Sequence, residues 1–298
     1  MKILLATDGS EYSEIAAKIL TCLKLSAEDE ITVFHAMYFI PCLYGQESYR
    51  DTLKSMKQEI APKIIDSALD ILKPVKAKIS TLLLEGTPEY SITDVADECD
   101  IDLIVMGAKG KKESDSLFIG SVAKSVTINS SKPVLVTKPP VSKKSDNMKI
   151  LFATDGSRHS SATKEILSGI PFPDRTEITV LNIIPWEFLD IPRTFVPELD
   201  EGVNHVIEKT GSKRLLESKK ILEQAKEYLN NTFQNVNVIL QVGDPSKEII
   251  KASEKLGADL VAVGCRGLRG IKGMFGSVSK NILADSKCSV LIGKTCKE

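Results

Sequence analysis

The sequence predicts two tandem α/β domains, each a five-stranded parallel sheet flanked by helices. Three observations predict it. The chain of 298 residues is about twice the length of a common domain. Its first half recurs in its second. Within each half, short apolar runs alternate with segments of helical periodicity, the pattern of parallel strands joined by crossover helices.

The repeat is direct. MKILLATDGS at 1–10 returns as MKILFATDGS at 148–157, and ITVFHAM at 31–37 as ITVLNII at 178–184, both at an offset of 147. LLLEGTPEYSI at 82–92 is answered by ILQVGDPSKEI at 239–249, at an offset of 157. The second half therefore carries about ten extra residues between 185 and 238, and IPRTFVPELDEG at 191–202, rich in proline and acid, is the expected insertion. GSVAKSV at 120–126 matches GSVSKNI at 276–282 at an offset of 156, one residue less. Domains are expected at 1–140 and 147–298, joined by the polar, proline-paired stretch 139–147. Halves of this size bury about 70% of their unfolded surface, enough for separate cores.

In the first half, strands are expected at 2–7, 30–37, 78–84, 102–107 and 133–138. Helices are expected at 11–24, 47–73, 88–99 and 120–130. In the long helix Leu53, Met56, Ile60, Ile64, Ala68 and Leu72 recur at helical spacing, which predicts one face against the sheet, with a kink at Pro62. The strands read as apolar on both faces, as parallel strands covered by helices must be.

Composition excludes several function classes. Net charge is −1 with 27% charged residues, so any phosphate affinity is local rather than a general attraction to polyanions. Aromatic content of 5% without basic interleaving does not fit a single-strand nucleic acid platform. The six cysteines form no CxxC pair, and the three histidines have no metal-like spacing. Scattered thiols suit a reducing compartment. No apolar run approaches the length of a membrane span, and a soluble, cytoplasmic protein is expected.

The chemistry concentrates in two glycine loops. Gly107-Ala108-Lys109-Gly110, nine residues, then Gly120-Ser121 lies between a strand and a helix. Gly264-Cys265-Arg266-Gly267, eight residues, then Gly276-Ser277 repeats it. Glycines let backbone N–H groups turn toward a ligand with no Cβ in the way, successive amides form an anion nest, and the following helix adds its positive end. The predicted device is a phosphate grip made of backbone, with the hydroxyl of Ser121 or Ser277 beside it. Neither loop is the GxxxxGK[ST] P-loop or a GxGxxG dinucleotide motif. Gly293-Lys294-Thr295 has no helix after it and is set aside.

Plainer readings compete at several positions. Asp8 also reads as the cap of the first helix, the lesser of its two readings, and Ser121 and Ser277 as caps of theirs, a role compatible with phosphate contact. The first loop mixes Lys109, Lys111 and Lys112 with Glu113 and Asp115. The second holds Arg266, Arg269 and Lys272 with no acid between them, the better phosphate clamp. Cys265 lies in that basic stretch, where a thiol's pKa can fall, but is read as a small residue tolerated in a loop. His35 and His159 are read as packing and as part of a helix's first turn.

At these loops, and at Thr7-Asp8-Gly9-Ser10 and Thr154-Asp155-Gly156-Ser157, the chain resembles the universal stress protein family in a tandem form. His35-Ala36 fits the end of the family's second strand; Asn182-Ile183 departs from the histidine there. The resemblance implies an adenine-nucleotide-hydrolase-like sheet in the order 3-2-1-4-5, which sets Asp8 and Gly107 on either side of one crevice. It implies ATP as ligand, with Asp8 at the ribose, Thr7 beside it in the site, and backbone at Ala36 at the adenine. The phosphates would fall to Gly107, Lys109, Gly110, Gly120, Ser121 and Val122. The second half would use Thr154, Asp155, Ile183, Gly264, Arg266, Gly267, Gly276, Ser277 and Val278. Mg²⁺ is left open, with Asp8 and Asp155 as candidate contacts. The resemblance further implies pairing of the two halves through their fifth strands as a pseudo-dimer. A nucleotide-binding regulatory protein of the stress response is the expected function; a slow ATPase or phosphotransferase and a nucleotide-independent interaction protein are the alternatives.

Overall fold

The computed structural model describes residues 1–38, 47–110, 119–139, 147–185, 213–267 and 275–295. The expected insertion at 191–202, most of the expected linker and the interiors of both glycine loops lie outside the described residues. The chain divides into two compact units, residues 1–139 and 140–295.

The first unit runs β1 (Lys2–Ala6), α1 (Glu11–Cys22), β2 (Glu30–Met37), α2 (Glu47–Leu72), β3 (Lys78–Glu85), α3 (Pro88–Glu98), β4 (Leu103–Gly107), α4 (Ser121–Asn129) and β5 (Val134–Thr137). All its strand pairs are parallel, and the order is β3-β2-β1-β4-β5. Ile3, Leu4, Leu5, Ile31, Val33, Leu103, Ile104 and Val105 are fully buried, because helices cover both faces of the sheet. α1 packs beside α2 and against β4, while α3 packs beside α4 and against β2. Right-handed crossovers require this division, since the chain moves one way along the sheet from β1 to β3 and the other way from β3 to β5. The reversal leaves a crevice between β1 and β4 at the carboxyl ends of the strands.

The second unit repeats the plan: β6 (Lys149–Ala153), α5 (Arg158–Gly169), β7 (Glu177–Ile184), α6 (Lys213–Leu229), β8 (Asn235–Val242), α7 (Pro245–Leu256), β9 (Leu260–Gly264), α8 (Ser277–Asp285) and β10 (Ser289–Gly293). Its parallel order is β8-β7-β6-β9-β10. The equivalent crevice lies between β6 and β9.

Two expectations need correction. The apolar stripe of α2 is buried only in its later half: Ile64, Ala68 and Leu72 are covered, whereas Met56 is 53% and Ile60 45% exposed. The reason is length. A helix of 26 residues extends about 39 Å, and the eight residues of β2 reach only about 26 Å, so the first turns overhang the sheet. Pro62 lies within the continuous helix; Gln58, whose carbonyl its missing N–H would have met, is exposed to water. The outermost strands also depart from the all-apolar expectation. β3 exposes Lys78, Ser80, Thr81, Leu84 and Glu85, since only one strand of its unit lies beside it. Among the described residues, no helix is long and apolar enough to cross a membrane.

Candidate functional site: a glycine loop at each crevice

Each site starts where the first strand of its unit stops. After β1 the chain turns at Gly9, whose φ of 71° is left-handed and suits a residue without Cβ; Gly156 repeats it at 76°. Asp8 is not the cap of α1. Ser10 is, accepting from the amide of Ser13. The Oδ1 of Asp8 instead accepts from the Ser10 amide at 3.0 Å, which holds the carboxylate over the turn. Asp155 and the Ser157 amide do the same at 3.0 Å, and Ser157 caps α5.

The cap serines also reach across the crevice. The Ser10 hydroxyl donates to the carbonyl of Lys109 at 3.3 Å, and the Ser157 hydroxyl to the carbonyl of Arg266 at 3.4 Å. The start of each glycine loop is thereby tied to the end of the unit's first strand. The glycine that closes each Gly-x-x-Gly comes closer still. A Cβ on Gly110 would stand 2.8 Å from the Oδ2 of Asp8, and one on Gly267 2.6 Å from the Oδ2 of Asp155.

The first glycine of each loop has a packing reason that the sequence does not reveal. A Cβ on Gly107 would stand 2.6 Å from the backbone carbon of Tyr12 in α1, and one on Gly264 2.8 Å from that of His159 in α5. These glycines let the helix lie close on the strand end. The two ends of each loop then meet: the Gly120 amide donates to the carbonyl of Ala108 at 2.8 Å, and the Gly276 amide to the carbonyl of Cys265 at 2.8 Å.

Gly120 and Gly276 are the caps of α4 and α8. Ser121 and Ser277 are the first helical residues, exposed, and not the caps the plainer reading made them. The contrast with other helices is informative. α1, α5 and α7 are capped by the side chains of Ser10, Ser157 and Asp244. α3, α4 and α8 receive no side-chain cap, and of these only α4 and α8 open on a glycine. The first amides of α4 and α8, among them those of Val122 and Val278, present the positive end of the helix dipole at the mouth of the crevice.

Thr7 and Thr154 are buried just past β1 and β6. His35 and Asn182 brace them. The Nδ1 of His35 lies 2.7 Å from the carbonyl oxygen of Thr7, and the Nδ2 of Asn182 donates to the carbonyl of Thr154 at 2.7 Å. The asparagine that breaks the family pattern thus makes the same contact as the histidine. Ala36 and Ile183 follow these residues near the ends of β2 and β7, at the same carboxyl end of each sheet. Periodicity gives no sign of this bracing, because it joins residues 28 apart through strand register.

The loop side chains differ between units. Lys109 lies with its Nζ 5.5 Å from the centre of the Tyr12 ring, a cation–π distance. Arg266 is half-buried. Lys294, in the tripeptide set aside on sequence, follows β10 directly and interacts electrostatically with Cys265 and Arg266. Burial pushes its pKa below the ordinary lysine value; Cys265 opposes this shift and Arg266 adds to it. Among the described residues, no group of three His, Cys, Asp or Glu side chains is gathered as for a metal ion.

Comparison with known proteins places this architecture. The family model described as the universal stress protein family matches residues 1–138 and again 147–294. Universal stress protein MJ0531 of Methanocaldococcus jannaschii is 35% identical over 147 residues, covering 47% of this chain and 82% of that protein. Universal stress protein Rv2623 of Mycobacterium tuberculosis is 23% identical over 300 residues, covering 98% of this chain and 96% of its own. Among solved structures, a universal stress protein from Archaeoglobus fulgidus superposes with a TM-score of 0.66 at 20% identity, covering 99% of this chain and 97% of that one; the likeness is one of fold.

Proposed function

The chain belongs to the universal stress protein family, and from that premise we propose that its two crevices bind ATP and that the protein acts in regulation through nucleotide-dependent conformation or assembly. The observation that carries the reading is the uncapped start of α4 and α8. Both helices open on a glycine with no side-chain cap, at the point where the loop closes on itself, and the same loop's Gly110 or Gly267 lies against a carboxylate held by its own turn. Free amides at a helix N-terminus are suited to phosphate.

The residues fit the ligand in kind. Asp8 and Asp155 offer carboxylate acceptors for ribose hydroxyls. Backbone at Ala36 and Ile183 offers amide groups for an adenine edge. Within the segments 107–110 and 120–122, and 264–267 and 276–278, the amides of Ala108, Gly120, Cys265 and Gly276 are held by backbone carbonyls, so the phosphates would fall to the amides of Gly110, Ser121 and Val122, and of Gly267, Ser277 and Val278, with Lys109 or Arg266 at hand. ATP bound there would supply the anionic groups these amides lack, and Mg²⁺ could accompany it at Asp8 or Asp155.

Calorimetric titration of the full chain with ATP tests the reading. Saturable heat that is lost in the double variant Asp8→Ala/Asp155→Ala supports it. No heat from the folded wild-type chain, with or without Mg²⁺, overturns it.

A further inference from the structure

The second glycine loop holds a side-chain pair that the first lacks. The Sγ of Cys265 lies 3.3 Å from the Nδ1 of His159, within hydrogen-bond reach for sulfur. At the equivalent places the first unit has Ala108 and Tyr12, for Gly107 abuts Tyr12 as Gly264 abuts His159. Both positions differ between the units, and together the differences create a thiol beside an imidazole.

The backbone holds this pair in place. The amide of Cys265 donates to the carbonyl of Gly293 at 3.0 Å, and its carbonyl accepts from the amide of Gly276 at 2.8 Å. His159 sits in the first turn of α5, and its carbonyl accepts from the Thr163 hydroxyl at 2.7 Å. One cation, Lys294, interacts electrostatically with Cys265, and Arg266 is the next residue in sequence.

We propose that Cys265 is a peroxide-reactive thiol and that His159 is the base that takes its proton. The co-reactant is a hydroperoxide. The Sγ–H proton passes to Nδ1 of His159, and the thiolate attacks the terminal peroxide oxygen. An S–O bond forms as the O–O bond breaks. Sulfur is oxidised by two electrons to the sulfenic acid, the peroxide is reduced, and the departing oxygen takes the proton back from the imidazole, leaving as an alcohol or water. Geometry supplies a base in contact with the sulfur, and Lys294 adds one interacting cation.

The chain contains its own controls. Cys288 is as deeply buried as Cys265, at 2% against 4%, but its sulfur faces the hydroxyl of Ser286. Cys99 is exposed. If exposure set reactivity, Cys99 would react first; if burial alone did, Cys265 and Cys288 would react alike.

The experiment treats the reduced full chain, without nucleotide, with substoichiometric hydrogen peroxide in the presence of a cyclic 1,3-dione that traps sulfenic acids. Labelling is read cysteine by cysteine in peptide mass spectra. Cys265 should label at least about tenfold faster than Cys288, since a positioned base contributes about a hundredfold or more, and faster than Cys99. His159→Tyr, which copies Tyr12, and His159→Asn should each slow Cys265 at least about tenfold and leave Cys99 unchanged. Denaturation should erase the difference between Cys265 and Cys288. Equal wild-type rates at Cys265 and Cys288 overturn the proposal, whatever the variants do. So does an undiminished Cys265 rate in a folded His159 variant. The readout needs no ligand, so it stands or falls apart from ATP binding.

Discussion

Gly110 lies against Asp8, and Gly267 against Asp155, so closely that a Cβ on either glycine would stand 2.8 or 2.6 Å from the Oδ2 of its aspartate. In both units a glycine on the fourth strand's loop and a carboxylate after the first strand share one small space. Any side chain at the glycine must push the carboxylate aside or move the loop.

Gly110→Val is therefore expected to damage ATP binding in two ways. It displaces the ribose-facing carboxylate and moves the amides that face phosphate. A loss of about 2–4 kcal/mol is expected, the scale of one or two charge-assisted hydrogen bonds left unmade. Isothermal titration measures it; wild-type affinity would remove the cradle assignment.

His35 and Asn182 make the same 2.7 Å contact with a strand-end carbonyl. His35→Asn should keep that bond and change stability by less than about 1 kcal/mol, whereas His35→Leu leaves the Thr7 carbonyl without its donor and should cost about 1–3 kcal/mol. Denaturant unfolding of the two variants side by side separates bonding from packing.

The two sites should differ in affinity. Their aspartates are held alike, by amide bonds of 3.0 Å in both units, so the difference falls to the loops. The first has nine residues between Gly110 and Gly120, the second eight between Gly267 and Gly276. A missing residue shifts every amide beyond it, while a charge difference in a solvated loop is worth about 1 kcal/mol or less. Asp8→Ala should remove the tighter binding phase and Asp155→Ala the weaker one. The opposite outcome would mean that Arg266 and its basic neighbours outweigh loop length.

Turnover is expected to be slow. The sequence has no P-loop lysine and no evident group to position an attacking water. Phosphate release by the purified chain should stay below about 1 per second, the low end of ordinary enzymes. A faster rate that survives purification would mean that a side chain near the phosphates acts as a catalytic base.

Residues 1–140 and 147–298, produced as separate chains, are expected to associate. β5 and β10 carry apolar runs, Val134-Leu135-Val136 and Val290-Leu291-Ile292, and an uncovered apolar edge invites pairing. Analytical ultracentrifugation of the mixture should find a 1:1 complex. Two non-interacting species at tens of micromolar would argue against the pseudo-dimer.

The duplication, the alternation of strands and helices, and the position of each glycine loop between a strand and a helix are legible in the chain's local pattern. These are local signals: periodicity, glycine spacing and turn residues act over a few neighbours. That pattern did not determine which glycine serves which purpose. Gly107 reads as part of a phosphate nest, yet its missing Cβ admits Tyr12. Nor did it determine the caps, because Asp8, Ser10, Ser121 and Gly120 are all acceptable near a helix start, and only backbone geometry selects Ser10 and Gly120. The bracing of Thr154 by Asn182, the tie from Ser10 to Lys109 and the meeting of Cys265 with His159 were decided by tertiary structure alone. Each joins residues 28 to 106 apart. Such contacts depend on the parallel register of β1 with β4 and of β6 with β7 and β9, which sets side chains from distant segments in one row, and no local pattern in the chain encodes that alignment.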